Sequence, residues 1–230
     1  MSQAFETVDY IDALPSAAER NRVLRNTYWL LALSMVPTVL GAWLGVATGI
    51  TASLGGIMGL VVFMGGAFAF MFAIEKTKNS AAGVPVLLGF TFFMGLMLSR
   101  MLATVLGMKN GGDLIMTAFG GTAGVFVLMA SLSTVIKRDL SGMGKWLTVG
   151  ALVLMVGAII NVFVASSTGM IVISMLAVAI FSAFILYDLK RIVDGGETNY
   201  ITATLGIYLS LFNVFQSLLA LLGIFGGERD

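Results

Sequence analysis

Seven blocks of apolar residues divide the chain, at Thr27 to Ala47, Ala52 to Ile74, Ala82 to Leu106, Leu114 to Ile136, Trp146 to Ala165, Met170 to Leu189 and Tyr200 to Phe225. Each is long enough to cross roughly 30 Å of hydrocarbon as a helix of about 20 residues. The bilayer core has no water for unpaired backbone groups, so continuous blocks of this kind fold as helices; barrels instead show short alternating strands. The pattern predicts an all-α membrane protein, a bundle of seven transmembrane helices. It also predicts three parts: a flexible cytosolic tail over residues 1–25, a membrane domain over 26–225 and a short outside tail over 226–230.

The first part is polar and acidic, with Glu6, Asp9, Asp12 and Glu19. A secretory signal begins with a basic stretch and runs directly into its apolar core, so this segment reads as a retained tail, with at least Met1 to Ala17 expected to be loosely ordered. Basic residues set the orientation, because Lys and Arg near span ends stay on the cytoplasmic side. With the N-terminus inside, Arg20, Arg22, Arg25, Lys76, Lys78, Lys137, Arg138, Lys145, Lys190 and Arg191 are all cytoplasmic, and Lys109 and Arg229 are outside. Arg100 lies within the third block toward its outer end, where its stem reaches the headgroups.

Composition narrows the chemistry. Only 11% of the 230 residues are charged and 58% are hydrophobic, and there is neither cysteine nor histidine. Disulfides, thiolate nucleophiles, the usual zinc sites and imidazole acid–base catalysis are excluded together. A net charge of +1 without a basic patch speaks against a nucleic-acid partner. No catalytic constellation is visible, and the expectation is a protein that is not an enzyme, has no cofactor and has membrane lipid as its first partner. The 28 glycines include three pairs spaced four apart: Gly41 and Gly45, Gly55 and Gly59, Gly120 and Gly124. Small residues let helix backbones approach in lipid, so these pairs predict packing within the bundle, with homodimerisation as the alternative. Pro37 and Pro85 are tolerated in such helices.

Polar residues inside the blocks are the candidates for function. Asp188 ends the sixth block. Turned inward it is a candidate proton sensor or cation ligand; turned toward the headgroups beside Lys190 and Arg191 it is an ordinary solvated acid. In the seventh block Gly206, Ser210, Asn213 and Ser217 fall on one helical face with Gln216 beside them. Such a face suits a helix inside the bundle, where it either knits neighbours together or lines a polar path. The candidate cation or proton site is therefore Asp188, Ser210 and Asn213, with no firm metal ligand set. Lys137-Arg138-Asp139-Leu140-Ser141 reads as a basic turn in which Asp139 caps the helix that follows.

Several separated strings carry a resemblance. Tyr187-Asp188, Gly195-Gly196-Glu197-Thr198-Asn199-Tyr200-Ile201, Tyr208-Leu209 and Asn213 are similar to the signature of the Bax inhibitor-1 family, as are Gly89-Phe90-Thr91 through Gly95-Leu96 and Lys137 through Ser141. Val23-Leu24-Arg25-Asn26-Thr27-Tyr28 and Tyr208-Leu209-Ser210 resemble its bacterial YccA branch. The resemblance implies a seven-helix bundle whose last helix is surrounded by the other six. It implies two functions: modulation of the membrane-anchored protease FtsH in the bacterial inner membrane, engaged through the N-terminal tail around Glu6, Asp9, Asp12 and Glu19, or a pH-gated calcium leak. In the leak-channel pattern a second aspartate stands where this chain has Ser210, so one carboxylate and one hydroxyl replace a carboxylate pair. The leading expectation is accordingly the protease modulator, with calcium as a transported ion on the alternative reading.

Overall fold

The first helix begins ten residues before its apolar block. A computed structural model describes residues 15–54 and 56–227, and α1 spans Ala17–Thr48. Its start is fixed by a capping box: Glu19 N–H donates to Ser16 Oγ at 3.2 Å, and Ser16 N–H donates to Glu19 Oε2 at 2.8 Å. The residues that follow are good helix formers, so the chain needs no apolar face to stay helical there. Residues 17–25, expected as part of a flexible tail, are therefore helix. At 32 residues α1 is about 48 Å long, well over the bilayer core, and its first turns project beyond the hydrocarbon.

Six further helices follow: α2 (Gly56–Thr77), α3 (Gly83–Leu106), α4 (Gly111–Val135), α5 (Met143–Val164), α6 (Ser167–Val193) and α7 (Tyr200–Phe225). All seven are long and apolar enough to cross a membrane, and no strand occurs among the described residues. The chain is a multi-pass all-α membrane protein. α1 runs on through Pro37, and Pro85 lies in the first turn of α3, where its missing N–H costs no intrahelical bond. Trp43 and Trp146 are exposed near helix ends, as expected of rings seated in the headgroup regions.

The most extensive packing joins α1 to α3, and small residues permit it. A Cβ on Gly41 would collide with the carbonyl oxygen of Phe92, and one on Gly95 with the carbonyl oxygen of Thr38. The backbones are in direct contact at both points. Gly45 likewise faces Ser99, whose Oγ lies 2.7 Å from Thr51 Oγ1. The other expected pairs differ. Gly59 faces Leu54 of its own preceding turn, Gly55 lies outside the described residues, and Gly120 and Gly124 face open space.

α7 is central: Ile207, Tyr208, Val214 and Leu219 are almost completely enclosed. It touches α1, α2, α3, α4 and α6, but α5 stands off and packs mainly on α6. The last helix is thus ringed by five neighbours rather than six. α2 and α5 form the rim, with few buried residues.

Two expectations follow. Gly95→Val should lower stability by about 1–3 kcal/mol or more through overpacking, whereas Gly120→Val should change it by no more than about 0.5 kcal/mol; unfolding of the purified protein in detergent compares them. With ten basic residues at the N-terminal end of the bundle, a reporter fused at the C-terminus should read as outside, and a cytosolic signal would reverse the assignment.

Candidate functional site at the α6–α7 hairpin

The end of α6 and the start of α7 are bound by a dense polar network. Gly195 adopts φ +84°, a left-handed conformation that closes α6, and the N–H groups of Gly196 and Glu197 donate back to the Arg191 carbonyl at 2.8 and 3.2 Å. Asn199 caps α7, its Oδ1 accepting from the N–H groups of Ile201 and Thr202 at 2.9 and 3.1 Å. Its Nδ2 reaches across to the Lys78 carbonyl and Asn79 Oδ1, tying this loop to the one between α2 and α3. Glu197 accepts from Asn199 N–H and pairs with Arg191 at 3.1 Å, while the buried Lys190 ammonium pairs with Asp194. The Gly195-to-Ile201 string is therefore capping and clamping machinery.

The start of α1 is fastened to the same hairpin. Arg20 Nη1 donates to the Val193 carbonyl at 3.0 Å, and Pro15 and Arg20 crowd Gly195 closely enough that a Cβ there would lie 3.3 and 3.2 Å from them. Glu19 belongs to the capped helix start rather than to a free tail. Glu6, Asp9 and Asp12, the other acids assigned to the partner-binding tail, lie outside the described residues.

Asp188 sits half-buried between α6 and α7. Its Oδ2 would lie 2.9 Å from a Cβ on Gly206, so the absence of a side chain at Gly206 is what admits the carboxylate. It makes no hydrogen bond or ion pair among the described residues; the charges acting on it are Arg191 and Glu197. Ser210 is buried one turn further along α7, about 6 Å deeper by helical rise. The Asn213 amide is turned to its own helix and donates to the Leu209 carbonyl at 2.8 Å. No hydrogen bond joins the three candidates: Asp188 on α6 lies against Gly206, and Ser210 and Asn213 follow about one and two turns further along α7. Calcium takes about 6–8 oxygen ligands, and no cluster of three or more acidic, histidine or cysteine residues exists among the described residues. Of the three candidates Asp188 alone is a carboxylate.

α7 carries a second polar face, outside the stripe and turned toward α1 and α3. Tyr208 OH lies 2.9 Å from Thr38 Oγ1 on α1 and 3.4 Å from the Thr91 carbonyl on α3. Thr204 donates to the Tyr200 carbonyl at 2.6 Å and approaches the Thr27 carbonyl at 3.4 Å, while the Thr27 hydroxyl itself is buried without a partner. The signal was present in the four-residue spacing of two hydroxyls, Thr204 and Tyr208. The neighbouring loop also differs from expectation. Asp139 accepts from Ser141 N–H and Oγ, both at 2.8 Å, closing its own turn; α5 is capped by Gly142 without a side-chain bond. Those two bonds hold the Asp139 carboxyl below its usual range.

Comparison with known proteins places this architecture. The sequence family described as inhibitor of apoptosis-promoting Bax1 matches residues 20–227. An uncharacterized membrane protein of Vibrio cholerae is 38% identical over 212 residues, 92% of this chain and 93% of the relative. A protein of Escherichia coli K12 named modulator of FtsH protease YccA is 37% identical over 215 residues, 94% of each chain. An uncharacterized protein of Neisseria meningitidis is 34% identical over 223 residues, 96% of this chain and 98% of its own. A match that begins at the Arg20 anchor, ends just past α7 and takes in every span makes this chain a member of the Bax inhibitor-1 family.

Proposed function

We propose that this protein is a non-enzymatic inner-membrane protein, N-terminus in the cytoplasm, that binds and restrains an FtsH-type membrane protease. The observation that carries the reading is the 37% identity, across 94% of both chains, with the Escherichia coli protein named as modulator of that protease. The geometry supplies a physical basis. Residues upstream of Ser16 are the handle, and a pull on them loads the Arg20 bond to the Val193 carbonyl and then the backbone-to-backbone seam of α1 with α3. A substrate that is gripped but resists extraction occupies the protease and slows its other work.

One observation favours a second reading, a proton-sensitive cation leak. Asp188 is a half-buried carboxylate without a partner among the described residues, and a membrane helix carries such a group at a cost unless it has work to do. Calcium is the ion on this reading. Against it stands the lack of any group of three acidic, histidine or cysteine residues among the described residues, which leaves one carboxylate at the candidate site where a divalent ion takes about 6–8 oxygens.

Two measurements separate the readings. In a reconstituted degradation assay, the full chain should slow FtsH proteolysis of a membrane reporter, and deletion of residues 2–14 should weaken that inhibition about tenfold, or 1.4 kcal/mol. Equal inhibition by the deleted form would remove the handle from the mechanism. In liposomes, the modulator reading expects no calcium flux above the background of empty vesicles. A flux that depends on pH and disappears in Asp188→Asn would instead establish the leak.

A further inference from the structure

At the end of the bundle away from the N-terminus, the stand-off of α5 from α7 leaves a cleft of about 360 Å³. That is within the lower range of ligand pockets, roughly 300–1,000 Å³. Leu60 and Phe63 of α2, Met97 of α3 and Val162 of α5 give it apolar walls, and Arg100 of α3 and Gln216 of α7 also line it. Leu60, Phe63 and Val162 belong to the rim helices α2 and α5, which bury few residues and whose outer faces are exposed where lipid surrounds them. Hydrocarbon is therefore the medium next to the cleft.

Arg100 gives the cleft its chemistry. The guanidinium is exposed and spends one of its five N–H donors on the Leu54 carbonyl, at 2.7 Å. That carbonyl is held in place because Gly59 has no side chain; a Cβ there would collide with it. No carboxylate among the described residues pairs with Arg100. An arginine inside a transmembrane helix is costly unless its charge finds water, a headgroup or a counter-ion. Arg100 lies six residues from the end of α3, about 9 Å by helical rise, which is the depth from which a long side chain reaches phosphate. The planar fork of a guanidinium matches two phosphate oxygens at once.

The geometry points to a phospholipid site: a phosphodiester headgroup on the free edge of Arg100, with an acyl chain laid between α2, α3 and α5 over Phe63, Met97 and Val162. A soluble anion would not need the apolar walls, and a neutral lipid would not use the cation. Neither the family membership nor the protease reading enters this inference, so its failure would leave both untouched.

The test uses the delipidated full chain in detergent, titrated with dioleoylphosphatidylglycerol, dioleoylglycerol or oleate and read by native mass spectrometry. The phosphatidylglycerol should bind at one site about tenfold more tightly than dioleoylglycerol, as expected for a charge-assisted two-pronged contact. Arg100→Gln should abolish that preference, and Arg100→Lys should keep part of it, since an ammonium supplies charge without the fork. Val162→Trp, at a lipid-exposed position that accommodates a larger ring, should reduce uptake of both lipids by filling the cleft. Equal uptake of dioleoylglycerol or oleate, or an undiminished preference in Arg100→Gln, overturns the proposal. Should Arg100→Gln fail to fold for want of its Leu54 tether, Val162→Trp decides: full selective uptake in that variant also overturns it.

Discussion

Within a bilayer an apolar side chain gains almost nothing by leaving lipid for a neighbouring helix, so helices are held by close van der Waals contact and by hydrogen bonds that lipid cannot offer. The contact of α1 with α3 is where this protein meets that constraint. Gly41 and Gly95 bring each backbone against a carbonyl of the other helix, and Gly45 opens the way for Ser99 to reach Thr51. With the two helices locked at that distance, Thr38 of α1 and Thr91 of α3 stand on either side of Tyr208. The phenol can reach both helices only because they are already close. Placement of α7 at the centre thus depends on three glycines, Gly41, Gly45 and Gly95, that each lie more than a hundred residues before its first residue.

The basic end of the bundle is organised by a different chemistry, because there water competes and the backbone ends must be satisfied. The α6–α7 loop meets this demand internally, through Gly195, the Asn199 cap and the Arg191–Glu197 pair. It then exports two connections, Asn199 to the α2–α3 loop and Val193 to Arg20 of α1. The segment that carries much of the family resemblance is therefore a junction between five helices, α1, α2, α3, α6 and α7. Asp188 lies one turn inside this junction, opposite the residue that makes room for it. The loop around it is hydrogen-bonded throughout, while its own carboxylate makes no hydrogen bond or ion pair among the described residues.

The opposite end is looser. α5 contributes only Leu154 to the buried set and leaves a gap beside α7, with Arg100 at its edge. The two ends contrast in how charge is handled: the hairpin pairs Lys190 and Arg191 with acids of the same loop, whereas Arg100 has only a carbonyl among the described residues. A bundle that is closed by protein at one end and completed by lipid at the other reconciles a tightly wrapped α7 with two sparsely packed rim helices.

Hydropathy alone determined the number of spans and the all-α class, because backbone groups in hydrocarbon leave no other choice. The placement of Lys and Arg located the basic end of the bundle, and the polar stripe of Gly206, Ser210, Asn213 and Ser217 marked α7 as an interior helix. The capped start of α1 was legible in Ser16 and Glu19, yet the apolar block concealed it by beginning ten residues later. Tertiary structure alone decided which glycines are contacts, since Gly41 and Gly120 look alike in a sequence whose spans are apolar all round. It decided as well that Asp188 meets Gly206 rather than Ser210, and that the Thr204 and Tyr208 face is as polar as the one the stripe announced. Helical periodicity fixes which residues share a face; the neighbour that face meets, and its height along the partner helix, are set by packing against chain segments far away in sequence, and in a solvent as apolar as leucine the pattern of side chains carries almost no record of that choice.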